Sequence, residues 1–182
     1  AILLQKKISL ESNETAFTLN LKCYQTALES FYELIRQLMN NELHPITQTS
    51  SERSYYSLTK SIPNAGFIIW GMPAIEIERL SRALQLGDME SNQLGTLKLY
   101  TGNGYFIVGR AACLTNLSTA LPGTLVSYTN DKLQVATIDF DITLLDISTS
   151  SGEKISISRF LELNGIAKDS QFPTLDETLI QK

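Results

Sequence analysis

Reactive side chains are scarce in this chain. It has one histidine, two cysteines and one tryptophan among 182 residues. Cys23 lies in a helical apolar pattern and Cys113 at the end of a strand pattern. Two such isolated cysteines fit a reduced cytosolic protein and exclude a disulfide framework or a cysteine-based metal site. No apolar run approaches the ~20 residues that a membrane helix needs. No charged segment followed by an apolar one opens the chain, so nothing argues for export and a cytoplasmic location is expected. A basic excess is missing too. Through Arg110 there are 10 Lys/Arg against 10 Asp/Glu, and the remainder holds 5 against 9, so the net −4 lies in the second part. Phosphate contacts from Lys and Arg dominate nucleic-acid affinity, and an acidic surface repels that backbone.

What remains is a 43% hydrophobic chain with material for one domain or two small ones. Its organising stretch is Gly123–Ile147, read as three strands: Leu125–Thr129, Leu133–Thr137 and Ile142–Ile147. Asn130-Asp131, residues that tolerate left-handed turns, joins the first two. Leu133 and Val135 alternate with Gln134 and Ala136, while Leu144-Leu145 suggests a strand covered on both faces. A helix over Ser156–Leu163, capped by Ser156 or Ser158, closes this meander.

The first residues already look strand-like, as in a piece of a longer protein, and residues 1–10 read as one strand. Ser12-Asn13-Glu14 supplies a cap and an acidic first turn for a helix over 14–39. Ala16, Leu19, Cys23, Ala27, Leu28, Phe31, Leu34, Ile35 and Leu38 form its apolar face, and Asn40-Asn41 ends it. Such a face packs on an α/β sheet. Residues 42–66 are polar and irregular, a traversing loop. They contain His44 with Glu42 beside it. Without a Ser or Cys nucleophile at a telling spacing, His44 reads as a surface histidine.

Phe67-Ile-Ile-Trp70 is an apolar anchor, and Pro73 stands at the first turn of a helix over Ala74–Leu84 that buries Ile77, Leu80 and Leu84. Trp70 is expected to be buried at this corner. Leu97–Tyr100 and Tyr105–Val108 form a hairpin in which Gly102, Asn103 and Gly104 supply positive φ, with the second strand reaching Leu114. Residues 165–182 turn polar, like a tail or linker.

The order of these pieces resembles a family. Ile2-Leu-Leu-Gln5, then Asn13-Glu-Thr15 opening a long helix, is similar to the segment after the catalytic aspartate in formyltransferases that use 10-formyltetrahydrofolate. Tyr55-Tyr56, Ile69-Trp70, the Ile75–Ala83 helix, the hairpin and Pro122-Gly-Thr124 follow in the family's order. Leu133-Gln-Val-Ala-Thr137 and Gly152-Glu-Lys154 resemble the C-terminal barrel of methionyl-tRNA formyltransferase. The resemblance implies an α+β chain: residues 1–45 as the tail of a Rossmann-like catalytic domain, 46–66 as a connection, 67–164 as a small open OB-like β-barrel, and 165–182 as a tail or linker.

The same resemblance places the catalytic Asn, His and Asp upstream, in an Asn-x-His-Pro pattern and an Asp-x-Gly turn that this chain does not contain. His44-Pro45 does not substitute, because Asn41 stands three residues before the histidine instead of two. Where the family has a Pro-rich stretch after the helix, this chain has Leu86-Gly-Asp-Met-Glu90. No residue is therefore assigned a catalytic, cofactor-binding or metal role. The implied function is the C-terminal portion of a folate-dependent formyltransferase, supporting N-formylation of an amine on a small or carrier-tethered substrate. 10-formyltetrahydrofolate would serve the complete protein without binding this chain alone. The implied partners are an upstream catalytic domain and a carrier or peptide-synthetase module, with tRNA disfavoured by charge and no membrane. The alternative is a non-catalytic module that binds a partner or carrier domain.

Overall fold

The structure, a computed structural model, describes residues 1–49, 51, 53–57, 62–87 and 95–175. The acidic residues of the polar stretch after 175, and Asp88–Glu90 of the Leu86–Glu90 segment, lie outside the described residues. The chain divides into two compact units, Ala1–Lys60 and Ser61–Lys182. No helix among the described residues is long and apolar enough to cross a membrane.

The first unit is built on α1 (Ala16–Met39). Its cap is Thr15, not the Ser12–Glu14 cluster. Thr15 accepts from the Thr18 amide while the Thr18 hydroxyl accepts from the Thr15 amide, a capping box that satisfies two helix-end donors reciprocally. Glu14 is used differently, accepting from the Thr18 hydroxyl and pairing with Lys22. Asn40 ends the helix and Asn41 follows at φ 56°, as expected of that pair. The strand expected over residues 1–10 is not formed. Ile2 makes a single antiparallel bridge with Ile46, through N···O distances of 2.8 and 2.9 Å, and no ladder extends from it. A strand exists only through its neighbours, and one bridge is not a sheet. No residue of α1 is buried, although its apolar residues are many.

The second unit holds α2 (Ala74–Ala83), β1 (Leu97–Tyr100), β2 (Tyr105–Cys113), β3 (Leu125–Tyr128), β4 (Lys132–Val135), β5 (Ile142–Ser148) and α3 (Ile157–Asn164). The strands form one open antiparallel sheet in the order β1-β2-β5-β4-β3. The hairpin pairs Tyr100 with Tyr105 as expected, but only Gly102 takes positive φ in its turn. β2 ends one residue before Leu114. The β3–β4 turn closes without positive φ at Asn130 or Asp131; the Thr129 hydroxyl donates to Asp131 instead, at 2.5 Å. β5 is covered on both faces, with Ile142, Thr143, Leu144, Ile147 and Ser148 buried. Ser156 caps α3 by accepting from the Arg159 amide. Pro73 is the N-cap of α2, one position before the first turn. The helix turns Ile77 and Leu84 into the core, while Leu80 is half-buried because Ser81 takes the position facing β2.

An open sheet leaves two edges with unpaired amides and carbonyls. Both are covered here. Along β1, Phe67 and Ile68 run parallel, and the Ile68 amide donates to Lys98 O at 2.9 Å. Along β3, the segment after α3 returns: Leu125 N donates to Ser170 O, Asp169 N to Leu125 O and Phe172 N to Gly123 O, all at 2.8–2.9 Å. Residues 165–172 are thus part of the domain, not a free tail. The polar composition concealed this because only Phe172 is fully buried, at 3% exposure, with Ile166 packed partly buried against the core. Between the two covering segments stands Trp70, 1% exposed, stacked on Phe172 at 5.8 Å between ring centroids. Gly123 has φ 87°, and a Cβ there would sit 2.9 Å from Trp70 Cδ1 and 3.0 Å from Phe172 O.

A buried tryptophan covers roughly 150–250 Å², and its truncation costs about 3–5 kcal/mol. Trp70→Ala should therefore lower the thermal midpoint sharply, and the native indole should resist acrylamide quenching. Gly123→Ala should be destabilising by about 1–3 kcal/mol from backbone strain alone. Easy quenching with little loss of stability would mean that the ring faces solvent.

Candidate functional site

The residues singled out for chemistry form no catalytic cluster within either unit. His44 and Glu42 are both exposed, and Glu42 lies beside Asn40, whose side-chain amide donates to it at 3.4 Å. Cys23 is exposed on α1. Cys113 is half-buried, and burial together with the charges of Glu78 and Asp139 pushes its thiol above the ordinary range. Such a thiol stays protonated and is a weak nucleophile. Among the described residues no cluster of three His, Cys, Asp or Glu could hold a metal ion.

Polar side chains do converge at one end of the sheet, in loops 114–124 and 136–141. Asp139 Oδ1 accepts from the Ala74 amide at 2.8 Å and from the Phe140 amide at 2.7 Å. The Thr137 hydroxyl lies 2.9 Å from the same oxygen and 2.6 Å from Phe140 O. Asp139 therefore holds its own loop in shape and neutralises the amino end of α2, where a carboxylate is favoured by the helix dipole. Burial pushes its carboxyl upward, but the hydrogen bonds from Ala74, Phe140 and Thr137 outweigh burial and hold it below the ordinary value. Asp141, 2% exposed, accepts at Oδ1 from the Ser118 hydroxyl at 2.7 Å and at Oδ2 from Gln134 Nε2 at 2.8 Å. Its backbone joins the loops as well, with N to Asn116 O and O from the Leu114 amide. On α2, Glu78 accepts from the Cys113 amide at 2.8 Å and Ser81 from the Ala111 amide at 3.0 Å.

These groups answer backbone donors and one another. A general base needs a carboxylate or imidazole aimed at a reacting proton, and an oxyanion site needs donors aimed outward. Neither describes this knot. Its two loops and the start of α2 instead hold Leu117, Leu121, Ile138, Phe140 and Ile75 exposed on ordered backbone. Sequence reading missed the knot. Its signal was Thr137-x-Asp139-x-Asp141, whose Thr/Asp spacing favours local side-chain-to-backbone turns.

The sequence pattern described as "Formyl transferase, C-terminal domain" matches residues 60–165, well over half of the chain. The chain belongs to this family. Similar proteins extend the likeness past that domain. The methionyl-tRNA formyltransferase of Nitrosococcus oceani is 22% identical over 154 residues, which are 84% of this chain and 45% of that protein. That of Caldicellulosiruptor saccharolyticus is 26% identical over 161 residues, 88% of this chain and 49% of that protein. That of Alkaliphilus oremlandii is 24% identical over 173 residues, 92% and 51%. The chain thus spans about half the length of the curated relatives it matches. Among solved structures, a sugar 3N-formyl transferase crystallised with dTDP and 5-N-formyl-THF shares the fold over 72% of this chain and 44% of that one, with a TM-score of 0.51 and 19% identity. In this formyltransferase domain the knot is the feature that fixes the loops to the helix.

Asp139→Asn should destabilise the second unit by about 1–3 kcal/mol through weakened charge-assisted bonds. Because the folded carboxyl titrates below its unfolded value, the native stabilisation is present above about pH 4 and lost as pH falls through the folded value. The variant should flatten that acid limb in denaturant titrations at stepped pH. An unchanged acid limb would remove Asp139 from the latch.

Proposed function

We propose that this chain is the C-terminal portion of a folate-dependent formyltransferase that N-formylates an amine on a small or carrier-tethered acceptor. The observation that carries this reading is the family match over residues 60–165, continued through most of the chain by relatives about twice as long. That match favours it over a non-catalytic interaction module. In this proposal the first 45 residues are the end of a Rossmann-like catalytic domain and 46–66 the connection. Residues 67–164 are an OB-like C-terminal domain, which the edge-covering segment extends to Phe172. The Asn, His and Asp that move protons and hold the tetrahedral intermediate come from the upstream half, in the cytoplasm.

The groove found among the described residues of the first unit does not fit a folate. The apolar groove of about 440 Å³ in the first unit is lined by Ile2, Leu3, Leu4, Ala27, Ser30, Phe31 and Leu34. The Ser30 hydroxyl, its one polar side-chain group, already donates to Thr26 O at 2.6 Å. A pterin edge needs several donors and acceptors in fixed places, and this groove supplies none. No step of formyl transfer is therefore assigned to these side chains, and their role in the proposal is support. The acidic second part of the chain favours an acceptor other than tRNA, whose phosphates it would repel. A sugar nucleotide amine or an aminoacyl group on a carrier would need no basic footprint, and a peptide-synthetase module is a fitting neighbour.

The test is formyl transfer from 10-formyltetrahydrofolate to a panel of amines. The chain alone should give no turnover above buffer, while the chain joined to its upstream half should formylate a small or carrier-bound amine. Turnover by the chain alone would overturn the supporting role. Preference of the joined protein for charged initiator tRNA would overturn the acceptor class.

A further inference from the structure

Two asparagine–glycine pairs occur in this chain, Asn103-Gly104 and Asn164-Gly165. Such a pair can modify itself. The backbone nitrogen of the glycine attacks Cγ of the asparagine side chain, so that a C–N bond forms and the Cγ–Nδ2 bond breaks. The proton lost by the attacking nitrogen leaves with the side-chain nitrogen as ammonia. The five-membered succinimide then takes up one water and opens to aspartate or to isoaspartate, in which the backbone runs through the β-carboxyl. Glycine suits this step because, without a Cβ, its nitrogen is open to approach and its dihedrals are free.

The fold separates the two pairs. Asn164 is the last residue of α3, and its Nδ2 donates to Phe160 O at 2.8 Å. The Gly165 amide donates to Glu162 O at 3.2 Å. The reacting carbon and the attacking nitrogen are both held, and the end of the helix must open before they meet. Asn103 and Gly104 are instead exposed at the tip of the β1–β2 hairpin. The turn closes through the Gly104 carbonyl, which accepts from the Thr101 amide at 3.0 Å and from the Thr101 hydroxyl at 3.3 Å. Among the described residues the Gly104 amide and the Asn103 side chain hold no hydrogen-bond partner. A Cβ at Gly104 would meet nothing within 4 Å, whereas one at Gly102 would lie 3.7 Å from Pro173 Cγ. Being polar, the tip needs no cover of the kind an apolar face requires.

We propose that Asn103-Gly104 is a self-modification site, which converts to isoaspartate in the folded chain while Asn164-Gly165 is held unreactive. The product carries one more negative charge and one more backbone carbon in the turn between Tyr100 and Tyr105. That turn sets the register of β1, from Tyr100 against Tyr105 to Leu97 against Val108. The Tyr105 ring also meets Phe67, in the segment that covers the β1 edge, at 5.7 Å. The lengthened turn therefore loosens that edge of the sheet. None of this depends on the formyltransferase reading.

Incubation of this chain, and of the longer protein containing it, in mildly alkaline buffer tests the site by peptide mapping with mass spectrometry. Isoaspartate should accumulate at Asn103 about tenfold faster or more than at Asn164, where hydrogen bonds must first open. In urea the two pairs should react within about twofold of each other, since neither then keeps its native geometry. Hydroxylamine, which attacks the succinimide, should cleave the folded chain between Asn103 and Gly104. Gly104 does not take positive φ, so Gly104→Ala fits the turn and should slow the reaction by about tenfold. Should that variant fail to fold, Asn103→Ser, which has no amide to lose, should abolish the signal. The isoaspartate form should unfold at a lower temperature than Asn103→Asp, which adds the charge without the backbone carbon. Equal rates at the two pairs in the folded chain would overturn the proposal. So would no conversion at Asn103 by the time the urea samples are complete, or a site silent in the longer protein. Equal midpoints for the isoaspartate form and Asn103→Asp would overturn the effect on the β1 edge.

Discussion

The stack of Trp70 on Phe172, with Gly123 beneath it, is the constraint on which the second unit depends. A five-stranded sheet that does not close must dispose of two edges and one open side. Here each edge is answered by a piece of chain too short to count as a strand, Phe67-Ile68 against β1 and Asp169–Phe172 against β3. Neither piece has sheet neighbours enough to hold itself. The indole joins them, and it can approach Gly123 only because that residue has no Cβ. Phe160 of α3 lies 6.3 Å from Phe172 and 4.8 Å from Phe106 of β2, so the aromatic contacts continue from the seal into the core. Loss of the indole would therefore release both edges together.

The end of the sheet where loops 114–124 and 136–141 meet is organised by hydrogen bonds instead. Asp139 and Asp141 are spent on shape, and their partners are amides and hydroxyls of the same loops. This separates two uses of a buried carboxylate that composition alone cannot. A catalytic acid is left with an unanswered direction toward a substrate, and a structural one is surrounded by donors. The second description fits both residues.

Much of this fold was legible in the sequence. Alternation gave β3, β4 and β5 to within a residue or two, and the hairpin at Gly102 and the Ser156 cap were visible because turn and cap chemistry are local. Trp70 was placed correctly from its position between an apolar run and a proline. The errors share a cause. Residues 1–10 look like a strand by composition, but a strand is defined by a partner, and Ile46 supplies only one bridge. The segment 165–172 looks like a tail because it is polar, yet its backbone covers an edge that lies 45 residues earlier in the chain, at Thr124–Leu125. The Asp139 latch to Ala74 is likewise 65 residues long. Long-range backbone pairing leaves little trace in composition, and that is where the reading fell short.

The chain after α3 seals the sheet, and the rest of the second unit depends on that seal. That dependence is tested by removing residues 169–182 and following thermal unfolding by tryptophan fluorescence. Loss of Phe172 burial alone is worth about 3–5 kcal/mol, which for a unit of this size corresponds to a midpoint lowered by roughly 10–25 °C. The indole emission of the shortened chain should also shift to the red as Trp70 meets water. A shortened chain with the same midpoint and the same emission would contradict the account and return this segment to the status of a tail.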